Sequence, residues 1–370
     1  MGRAPSFYLP AVSLEKGNCC LCGGEDGQVV VQSSGKALGT TSEKFAFVKC
    51  PQCRVLFLDP RPTADGLELL YPDDKYYSRD VQRLSDAASK SSPGLKQRLQ
   101  ARIIRAYGLF EKEKGERRKE KGGGRGPEMR RLGRLWDSIG RATVFPLVVR
   151  QSALLRTLIH NRRFLRFSRR PARILEVGFG NGLLLFALSH LDAILFGTEI
   201  SQKACDAVAS CLGVQTFCGQ LWDAGFPDGQ FDLVIFSHSL EHIGDPIRAL
   251  HEARRILSSN GALLISMPNP DCLSARVFRE HWAGYDFPRH LFLFGRDALS
   301  EMADKAGFRL QEVRFPLEAC VHHLAESINS RLLSALIPDA LAKTLLTQIL
   351  YLPIVLSKSG DVMTTYLLRV

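Results

Sequence analysis

Four cysteines near the start of the chain have the spacing of metal ligands. Cys19 and Cys22 form one C-x-x-C pair, and Cys50 and Cys53 form a second, with 27 residues between the pairs. Two such pairs can place four thiolates tetrahedrally around zinc, and four cysteine ligands leave no open position for catalysis. We therefore predict a structural zinc site, whereas four unrelated buried thiols are the alternative. The spacing leaves the role of the adjacent Cys20 open.

The stretch ILEVGFGNGLLL, residues 174–185, joins two apolar runs through three closely spaced glycines. Gly178, Gly180 and Gly182 follow a strand pattern and precede a helix pattern, so the chain must turn sharply there. Glycines at such a turn exclude Cβ atoms and let the backbone approach a nucleoside-like ligand. The spacing differs from the dinucleotide fingerprint G-x-G-x-x-G, because residue 183 is leucine. A glycine-rich turn without a ligand is the alternative interpretation.

Residues 171–320 alternate between strand-like and helix-like patterns. The candidate strands have apolar, β-branched runs that are typical of strands buried on both faces. These strands are RILEVGF, AILFGTEI, VQTFCGQ, FDLVIFS and GALLISMPN. The helix after the second strand has Ser201 as a candidate N-cap and Gly213 as a candidate C-terminal residue. The pattern predicts an α/β fold with a doubly wound, largely parallel sheet.

These segments resemble the motifs of class I S-adenosylmethionine (SAM) methyltransferases. Glu176 leads an E-x-G-x-G-x-G motif, FDLVIFSHSLEHIGDP (231–246) resembles the fourth motif, and GALLISMPNP (261–270) resembles the fifth strand. Residues 307–315 and 360–370 resemble strands six and seven of the Rossmann-like, seven-stranded sheet of that family. The resemblance implies SAM as the cofactor, with a strand-end glutamate on the ribose hydroxyls. The implied cofactor contacts are Glu176, Gly178, Gly180, Gly182, Glu199, Ile200, Ser237 and the main chain near Gln220 and Leu221.

Candidate acid–base residues follow the fourth and fifth strands, where a parallel α/β sheet binds its ligands. The loop after the fourth strand carries His238, Glu241 and His242. The later segment REHWAGYDFPRHLFLF (279–294) resembles the W-x-G-x-(acid)-x-P-R-H run of the family and supplies His290. We prefer His242 and His290 as the acid–base pair. The same segment implies an acceptor site with Trp282 and Tyr285 as walls and with Asp286 and Arg289 nearby.

Each of these candidates also has a purely structural interpretation. Glu241 and His242 could cap and orient the following helix, and Arg289 and His290 could clamp a lid.

The cysteine pairs, followed by RVLFLDPRPT and LYPDDKYYS (70–78), resemble bacterial methyltransferases with an N-terminal zinc ribbon, and this resemblance implies a structural zinc. The predicted organisation is a zinc ribbon, a linker with a basic helical segment, and a SAM domain that includes a helical insertion. Their bounds are 15–60, 61–170, 171–370 and, for the insertion, 321–357.

The positive charge of the chain is concentrated in one segment. Residues 81–170 hold 24 Lys and Arg against 7 Asp and Glu, in a chain of net charge +11. Such a segment could contact RNA or an anionic membrane surface, or could simply be solvated. Apolar and basic residues interleave over 146–168, which favours the membrane surface, and the apolar tail 332–357 is too interrupted for a confident membrane span. With no secretory signal pattern, we expect a cytoplasmic protein, with peripheral attachment to the inner membrane face as a variant.

The sequence therefore predicts a SAM-dependent methyltransferase with a structural zinc ribbon. The expected acceptor atom is an oxygen of a small molecule, a glycan or a lipid-linked intermediate. One alternative is an RNA-modifying methyltransferase that holds its substrate with the basic segment. A second alternative is a non-catalytic module that binds zinc and SAM. The sequence does not identify the acceptor or the oligomeric state.

Overall fold

The structure is a computed structural model. It describes residues 12–34, 44–71, 171–316 without 190 and 192, the single positions 327 and 353, and 359–370. The predicted basic segment lies outside the described residues, as does nearly all of the predicted insertion at 321–357. Among the residues that the structure does describe, no helix is both long and apolar enough to cross a membrane.

The N-terminal part of the chain is a small antiparallel unit. Its elements are β1 (Leu14–Glu15), β2 (Gln28–Ser34), β3 (Lys44–Lys49), β4 (Leu56–Asp59), β5 (Arg61–Pro62) and α1 (Ala64–Leu69). Strand β3 pairs antiparallel with both β2 and β4, and β1 pairs with β5. The four central residues of β3 are buried, because their apolar side chains have protein on both sides of the strand.

The C-terminal part of the chain is a seven-stranded sheet with helices between the strands. Its strands are β6 (Ala172–Val177), β7 (Ala193–Glu199), β8 (Gln215–Cys218), β9 (Phe231–Ser237), β10 (Leu257–Pro268), β12 (Phe308–Arg314) and β13 (Val362–Arg369). Their order across the sheet is β12-β13-β10-β9-β6-β7-β8, and β13 is antiparallel to both of its neighbours. The predicted Rossmann-like, seven-stranded α/β sheet is therefore confirmed.

Three of the five described helices between the strands begin at a residue whose side chain accepts a backbone N–H of the first turn. The five helices are α2 (Leu183–Leu188), α3 (Gln202–Leu212), α4 (Pro246–Ile256), α5 (Leu273–Phe278) and α6 (Arg296–Lys305). The Ser201 side chain accepts the N–H of Ala204, and Gly213 ends α3 with a φ of 66°, so both predicted caps are confirmed. Asp245 caps α4 in the same way by accepting the N–H of Arg248.

The N-terminal unit and the large domain share one sheet and one core. The short strand β11 (Phe292–Leu293) follows His290 and pairs antiparallel with β4, which completes a sheet of order β11-β4-β3-β2. Phe47 of β3 packs 5.0 Å from the Phe287 ring and 5.5 Å from the Tyr285 ring. One continuous apolar cluster includes residues of β3, β4, β9, β10 and α4. A second cluster covers the opposite face of the large sheet, under α2 and α3.

Candidate functional site

The three glycines form the turn between β6 and α2, and all three have left-handed backbone conformations. The φ angles are 69° at Gly178, 54° at Gly180 and 71° at Gly182. Side chains with a Cβ rarely adopt these angles, so glycine is the residue that allows this turn. The Gly178 N–H donates to the Thr198 carbonyl at 2.8 Å, which ties the turn to the end of β7.

Glu199 lies at the end of β7 and holds the glycine turn through its carboxylate. One oxygen accepts the N–H of Gly180 at 2.9 Å, and the other accepts the N–H groups of Ile200 at 2.9 Å and Ser201 at 3.2 Å. The Glu199 side chain is buried, whereas Ile200 is 45% exposed beside it. This arrangement leaves an apolar side chain and a carboxylate at the strand edge where a nucleoside would lie.

Glu176 is a buried acid beneath the glycine turn. Its Oε2 atom has no hydrogen-bond partner among the described residues. Burial, followed by the charge of Glu199, raises the pKa of Glu176 well above its usual range. A buried carboxyl group without a full set of partners fits a cationic ligand group, and SAM carries an ammonium and a sulfonium. The residues present therefore fit this cofactor.

The remaining predicted cofactor residues lie at the same edge of the sheet. Gln220 and Leu221 begin a short 3-10 turn after β8, and the N–H of Gly219 donates to the Glu199 carbonyl at 2.9 Å. Ser237 ends β9 beside β6. The structure thus brings the predicted cofactor set together at the carboxyl ends of four neighbouring strands, whereas their contacts with SAM stay a prediction.

The loop after β9 touches the glycine turn directly. A Cβ added at Gly178 would lie 2.7 Å from the Ser239 Cβ, so the Ser239 side chain occupies the space that glycine leaves open. Ser239 lies between His238 and Glu241, two of the predicted catalytic residues. His238 has a φ of 54°, a conformation that non-glycine residues adopt rarely and that often occurs at functional sites.

Three of the predicted catalytic residues form one cluster, in which Glu241 and His290 are buried and His242 is half-buried, whereas His238 lies exposed beside it. An oxygen of Glu241 and one ring nitrogen each of His242 and His290 lie within 4.8 Å of one another, a spacing at which three ligands could hold a divalent cation. The Nδ1 atom of His238 lies 3.6 Å from Glu241 Oε1, and the Nε2 atom of His290 lies 4.0 Å from the same oxygen. Glu241 is fully buried, and neither of its oxygens has a hydrogen bond within ordinary length among the described residues.

Backbone carbonyls fix the orientation of both histidine rings. The Nδ1 atom of His290 lies 2.8 Å from the Gly284 carbonyl oxygen, and the Nδ1 atom of His242 lies 2.9 Å from the Arg289 carbonyl oxygen. A carbonyl oxygen only accepts, so each contact assigns the proton of a neutral ring to Nδ1. Both Nε2 atoms then carry lone pairs, the form in which a histidine can accept a proton.

The charges around the cluster favour ionised acids and a neutral His290. Burial, followed by the charge of His242, lowers the pKa of His290 to about 4. Burial alone would raise the pKa of Glu241, but His238, His242 and His290 outweigh it and the pKa falls below its usual value. The pKa of Asp286 is also lowered. Burial alone would raise it, but the ion pair with Arg289 outweighs burial.

The predicted acceptor walls lie in the shared core. Trp282 is 2% exposed and Tyr285 is 5% exposed, with their rings 5.0 Å apart in an edge contact. Burial raises the pKa of Tyr285 to about 12, which keeps the phenol neutral. Arg289 forms its ion pair with Asp286 at the edge of the histidine cluster. A contact of these four residues with an acceptor stays a prediction.

The four predicted zinc ligands lie together in two matching turns. Their sulfur atoms are all within 4.8 Å of one another, with Cys22 and Cys50 Sγ 3.5 Å apart. The carbonyls of Cys19 and Cys50 accept N–H groups from Gly23 and Arg54, which both have positive φ angles. Four thiols at this distance fit a tetrahedral zinc site. Cys20 does not belong to the cluster.

The structure adds one residue to the histidine cluster that the sequence did not single out. Tyr71, just after α1, places its hydroxyl 2.8 Å from the Nδ1 atom of His242, which is 171 positions away along the chain. The segment LYPDDKYYS drew attention only through a family resemblance. A lone aromatic residue after a short helix carries no local signal of a partner so distant in sequence.

The strand order, the glycine turn and the carboxylate at the end of β7 have the arrangement of the Rossmann-like fold found in class I methyltransferases. In agreement, residues 150–313 match a family model described as a methyltransferase domain. The chain is 28% identical over 160 residues to malonyl-[acyl-carrier protein] O-methyltransferase of Geobacter sulfurreducens. The aligned region covers 39% of this chain and 58% of that protein. It is 30% identical over 105 residues to ajmaline N-methyltransferase of Rauvolfia serpentina. That alignment covers 26% of this chain and 36% of the relative.

The chain spans about a third to two thirds of the length of the curated relatives that it matches. Among solved structures, geranyl diphosphate C-methyltransferase of Streptomyces coelicolor is 13% identical, with 58% of this chain and 78% of that chain covered and a TM-score of 0.41. By their names, the two sequence relatives methylate at oxygen and at nitrogen. The sequence similarity supports a methyltransferase domain. It does not determine which atom of the acceptor is methylated.

Proposed function

We propose that this chain transfers the methyl group of SAM to an oxygen of a small-molecule, glycan or lipid-linked acceptor. The observation that carries the proposal is the contact between Gly178 and Ser239. This contact puts the loop that carries His238, Glu241 and His242 against the turn that would hold the methyl donor. A base beside the donor is what an acceptor hydroxyl requires, since it must lose a proton during transfer.

On the donor side, the glycine turn and Glu199 would hold the nucleoside, and Glu176 would face the charged methionyl end. SAM supplies an activated methyl group when it is bound. The chain's own residues position the two reactants, and this positioning accounts for most of the rate gain in a displacement reaction. Ile200 is exposed beside Glu199 and would cover one face of the adenine.

On the acceptor side, the Nε2 atom of His242 or His290 would take the hydroxyl proton. Glu241 would stabilise the resulting imidazolium, because it is buried, ionised and within 4.0 Å of His290. Trp282, Tyr285, Asp286 and Arg289 would border the acceptor. Two kinds of sequence relative that act on oxygen, the malonyl-[acyl-carrier protein] and ubiquinone biosynthesis O-methyltransferases, support this choice of atom.

The proposal includes a structural zinc ion held by Cys19, Cys22, Cys50 and Cys53. The convergence of four sulfur atoms on two matching turns supports it. Four thiolate ligands complete a tetrahedral site and leave no place for a substrate, so this ion would stabilise the ribbon only. The proposed locations are the cytoplasm or the inner face of a membrane.

Calorimetric titration tests the donor half of the proposal. We expect SAM to bind the full chain with micromolar affinity, with no binding of NADH. Gly180→Asp should abolish SAM binding, because the new side chain would be strained at a φ of 54° and would place a carboxylate beside Glu199. If SAM does not bind, or if Gly180→Asp binds it normally, the glycine turn is not the cofactor site.

Transfer of a labelled methyl group tests the acceptor half. A panel of hydroxyl acceptors and matched amines is incubated with the chain, and Glu241→Gln and His290→Asn are compared with the original protein. We expect hydroxyl acceptors to react and each variant to lose about 100-fold or more in turnover while SAM binding persists. His251→Asn, on the exposed side of α4, is the matched control. Labelling of amines alone, or full turnover by both Glu241→Gln and His290→Asn, would contradict the proposal.

A further inference from the structure

The last residue of helix α6, Lys305, contacts the first cysteine turn, which comprises residues 19–23. Its Nζ atom donates to the Leu21 carbonyl at 3.3 Å, and Leu21 lies between two of the proposed zinc ligands in the sequence. Lys305 and Leu21 are 284 positions apart along the chain. Tertiary packing therefore brings an ammonium group to the turn that would hold half of the zinc ligands.

The second cysteine turn, residues 50–54, contacts the other end of the same helix. Arg54 Nη1 donates to Asp297 Oδ2 at 3.1 Å. Between these two polar contacts, the buried face of α6 belongs to the same apolar cluster as three of the four cysteines. The packing of the helix on both turns therefore determines where the Lys305 side chain can reach.

Two charges of α6, on Lys305 and Glu301, act on the cysteine cluster. Their Nζ and Oε1 atoms form an ion pair at 3.0 Å. The hydrogen bond to Glu301, followed by the smaller effects of Cys53 and Cys22, raises the pKa of Lys305. Burial is the main cause that raises the pKa of the Cys53 thiol, and the Glu301 charge adds to it. The ammonium and the carboxylate are therefore both within electrostatic range of the sulfur atoms.

A zinc ion held by four thiolates is an anionic centre, because the thiolates carry more negative charge than one Zn²⁺ ion offsets. A nearby cation stabilises such a centre, and a nearby carboxylate destabilises it. Groups that hydrogen-bond the surroundings of the ligands also orient them. Lys305 combines both effects, since it contacts a carbonyl inside the first cysteine turn and carries a positive charge.

We propose that Lys305 is a positioning residue of the zinc site, which holds the first cysteine turn and offsets part of the negative charge of the four thiolates. The inference rests on the proposed function, because that function includes the structural zinc ion. It goes beyond that function in making a residue of the large domain, on the helix between β11 and β12, part of the metal site.

Zinc competition measures the contribution of Lys305. The zinc-loaded full chain is titrated with a chromophoric chelator at about 10 mM and about 500 mM salt. We expect Lys305→Gln to lower the zinc affinity by about three- to tenfold at low salt, because it removes the cation and leaves Glu301 unpaired near the sulfurs. At high salt the difference should shrink to less than about twofold, because the Lys305 side chain is 45% exposed and its charge is screened.

Three further variants separate the charge of Lys305 from its packing. Glu301→Gln removes the carboxylate and keeps the cation, so the zinc affinity should rise, by up to about threefold. Lys305→Arg keeps the charge and should stay within about twofold of the original chain. Lys203→Gln removes an exposed cation from α3 and should leave the zinc affinity unchanged. Unchanged circular dichroism spectra show that each variant is folded.

Unchanged zinc affinity of Lys305→Gln at low salt would overturn the inference and leave the proposed function intact. An equal loss at both salt concentrations would also overturn it, as would a loss in both Lys305→Gln and Glu301→Gln. Either result assigns the effect to the ion pair as a packed unit and not to the positive charge. If the original chain binds no zinc, the proposed zinc site fails together with the inference, whereas SAM titration still tests the donor half by itself.

Discussion

His290 lies between two acids and another histidine, and its surroundings determine its charge. Glu241 Oε1 and Asp286 Oδ2 are each 4.0 Å from its Nε2 atom, and both acids favour a proton there. Burial and the neighbouring His242 act in the opposite direction and dominate, so the pKa falls to about 4. A neutral histidine at physiological pH can serve as a base, which is the role proposed for it.

We expect the His290 ring to stay neutral from pH 8 down to about pH 5. A histidine NMR titration checks this, with the signals assigned by their loss in His290→Asn. The sign of the effect on stability follows from linkage: the folded-state pKa lies below the unfolded value of about 6.5. The contribution of a neutral His290 to stability is therefore fully present above about pH 6.5 and is lost as the pH falls toward 4. Protonation of His290 between pH 6 and 7 would contradict the assignment.

At the scale of elements, Asp361 shows how strand β13 begins with a buried acid. It is fully buried just before Val362, and its backbone carbonyl accepts the Asn269 N–H at 2.8 Å. Burial raises the pKa of Asp361 to about 6, and Ser274, Cys272 and Trp282 offset part of that effect. The folded chain therefore binds this proton more tightly than the unfolded chain does.

Replacing Asp361 with asparagine should change how stability depends on pH. The raised folded pKa means that the stabilising contribution is present below about pH 4 and is lost as the pH rises through about 6. Two pKa units set an upper bound of about 3 kcal/mol on this loss. In urea unfolding, Asp361→Asn should show a smaller drop in stability from pH 4 to 7 than the original chain. Asp304→Asn, on the exposed side of α6, should keep the original pH dependence.

Short sequence patterns predicted those strands and helix ends whose formation depends on residues close together in the chain. The continuous apolar run of β9 and the capping residues Ser201 and Gly213 are visible in the sequence, and the structure confirms them. Strand β11 could not be predicted, because two residues carry no periodicity and its pairing with β4 depends on the docked N-terminal unit. The same limit applies to Tyr71, whose contact with His242 depends on tertiary packing alone.

The candidate site was predictable to a similar extent. The glycine turn and the cysteine pairs are short motifs with characteristic spacing, and the structure brings the members of each together. The histidine cluster required two segments that lie 48 residues apart, His242 and His290, and their proximity was inferred from a family resemblance. The burial of Glu241, which gives this cluster its electrostatic character, could be determined only from packing.

At the scale of the whole molecule, the N-terminal unit and the loops that carry His242 and His290 share one core, whereas α2 and α3 pack on the opposite face of the sheet. Phe47, Phe57 and Phe292 belong to the shared cluster, as do Trp282 and Tyr285. The helices that follow the glycine turn and Glu199 pack in the second cluster instead. We therefore expect the two halves of the site to depend differently on the ribbon.

Loss of the proposed zinc ion should disturb the acceptor half and spare the donor half. Cys22→Ser removes one ligand, so we expect the metal content to fall from one zinc per chain to well below one, and the ribbon to loosen. Because β4 bonds to Leu291 and Leu291 bonds to Glu241, the NMR signals of His242 and His290 should shift or broaden. The SAM affinity should stay within about threefold of that of the original chain, since the glycine turn packs in the second cluster.

The control is Cys211→Ser, which changes an exposed cysteine on α3 and should retain zinc and both sets of signals. Full zinc content in Cys22→Ser, or parallel loss of SAM binding and histidine signals, would contradict this division of the molecule.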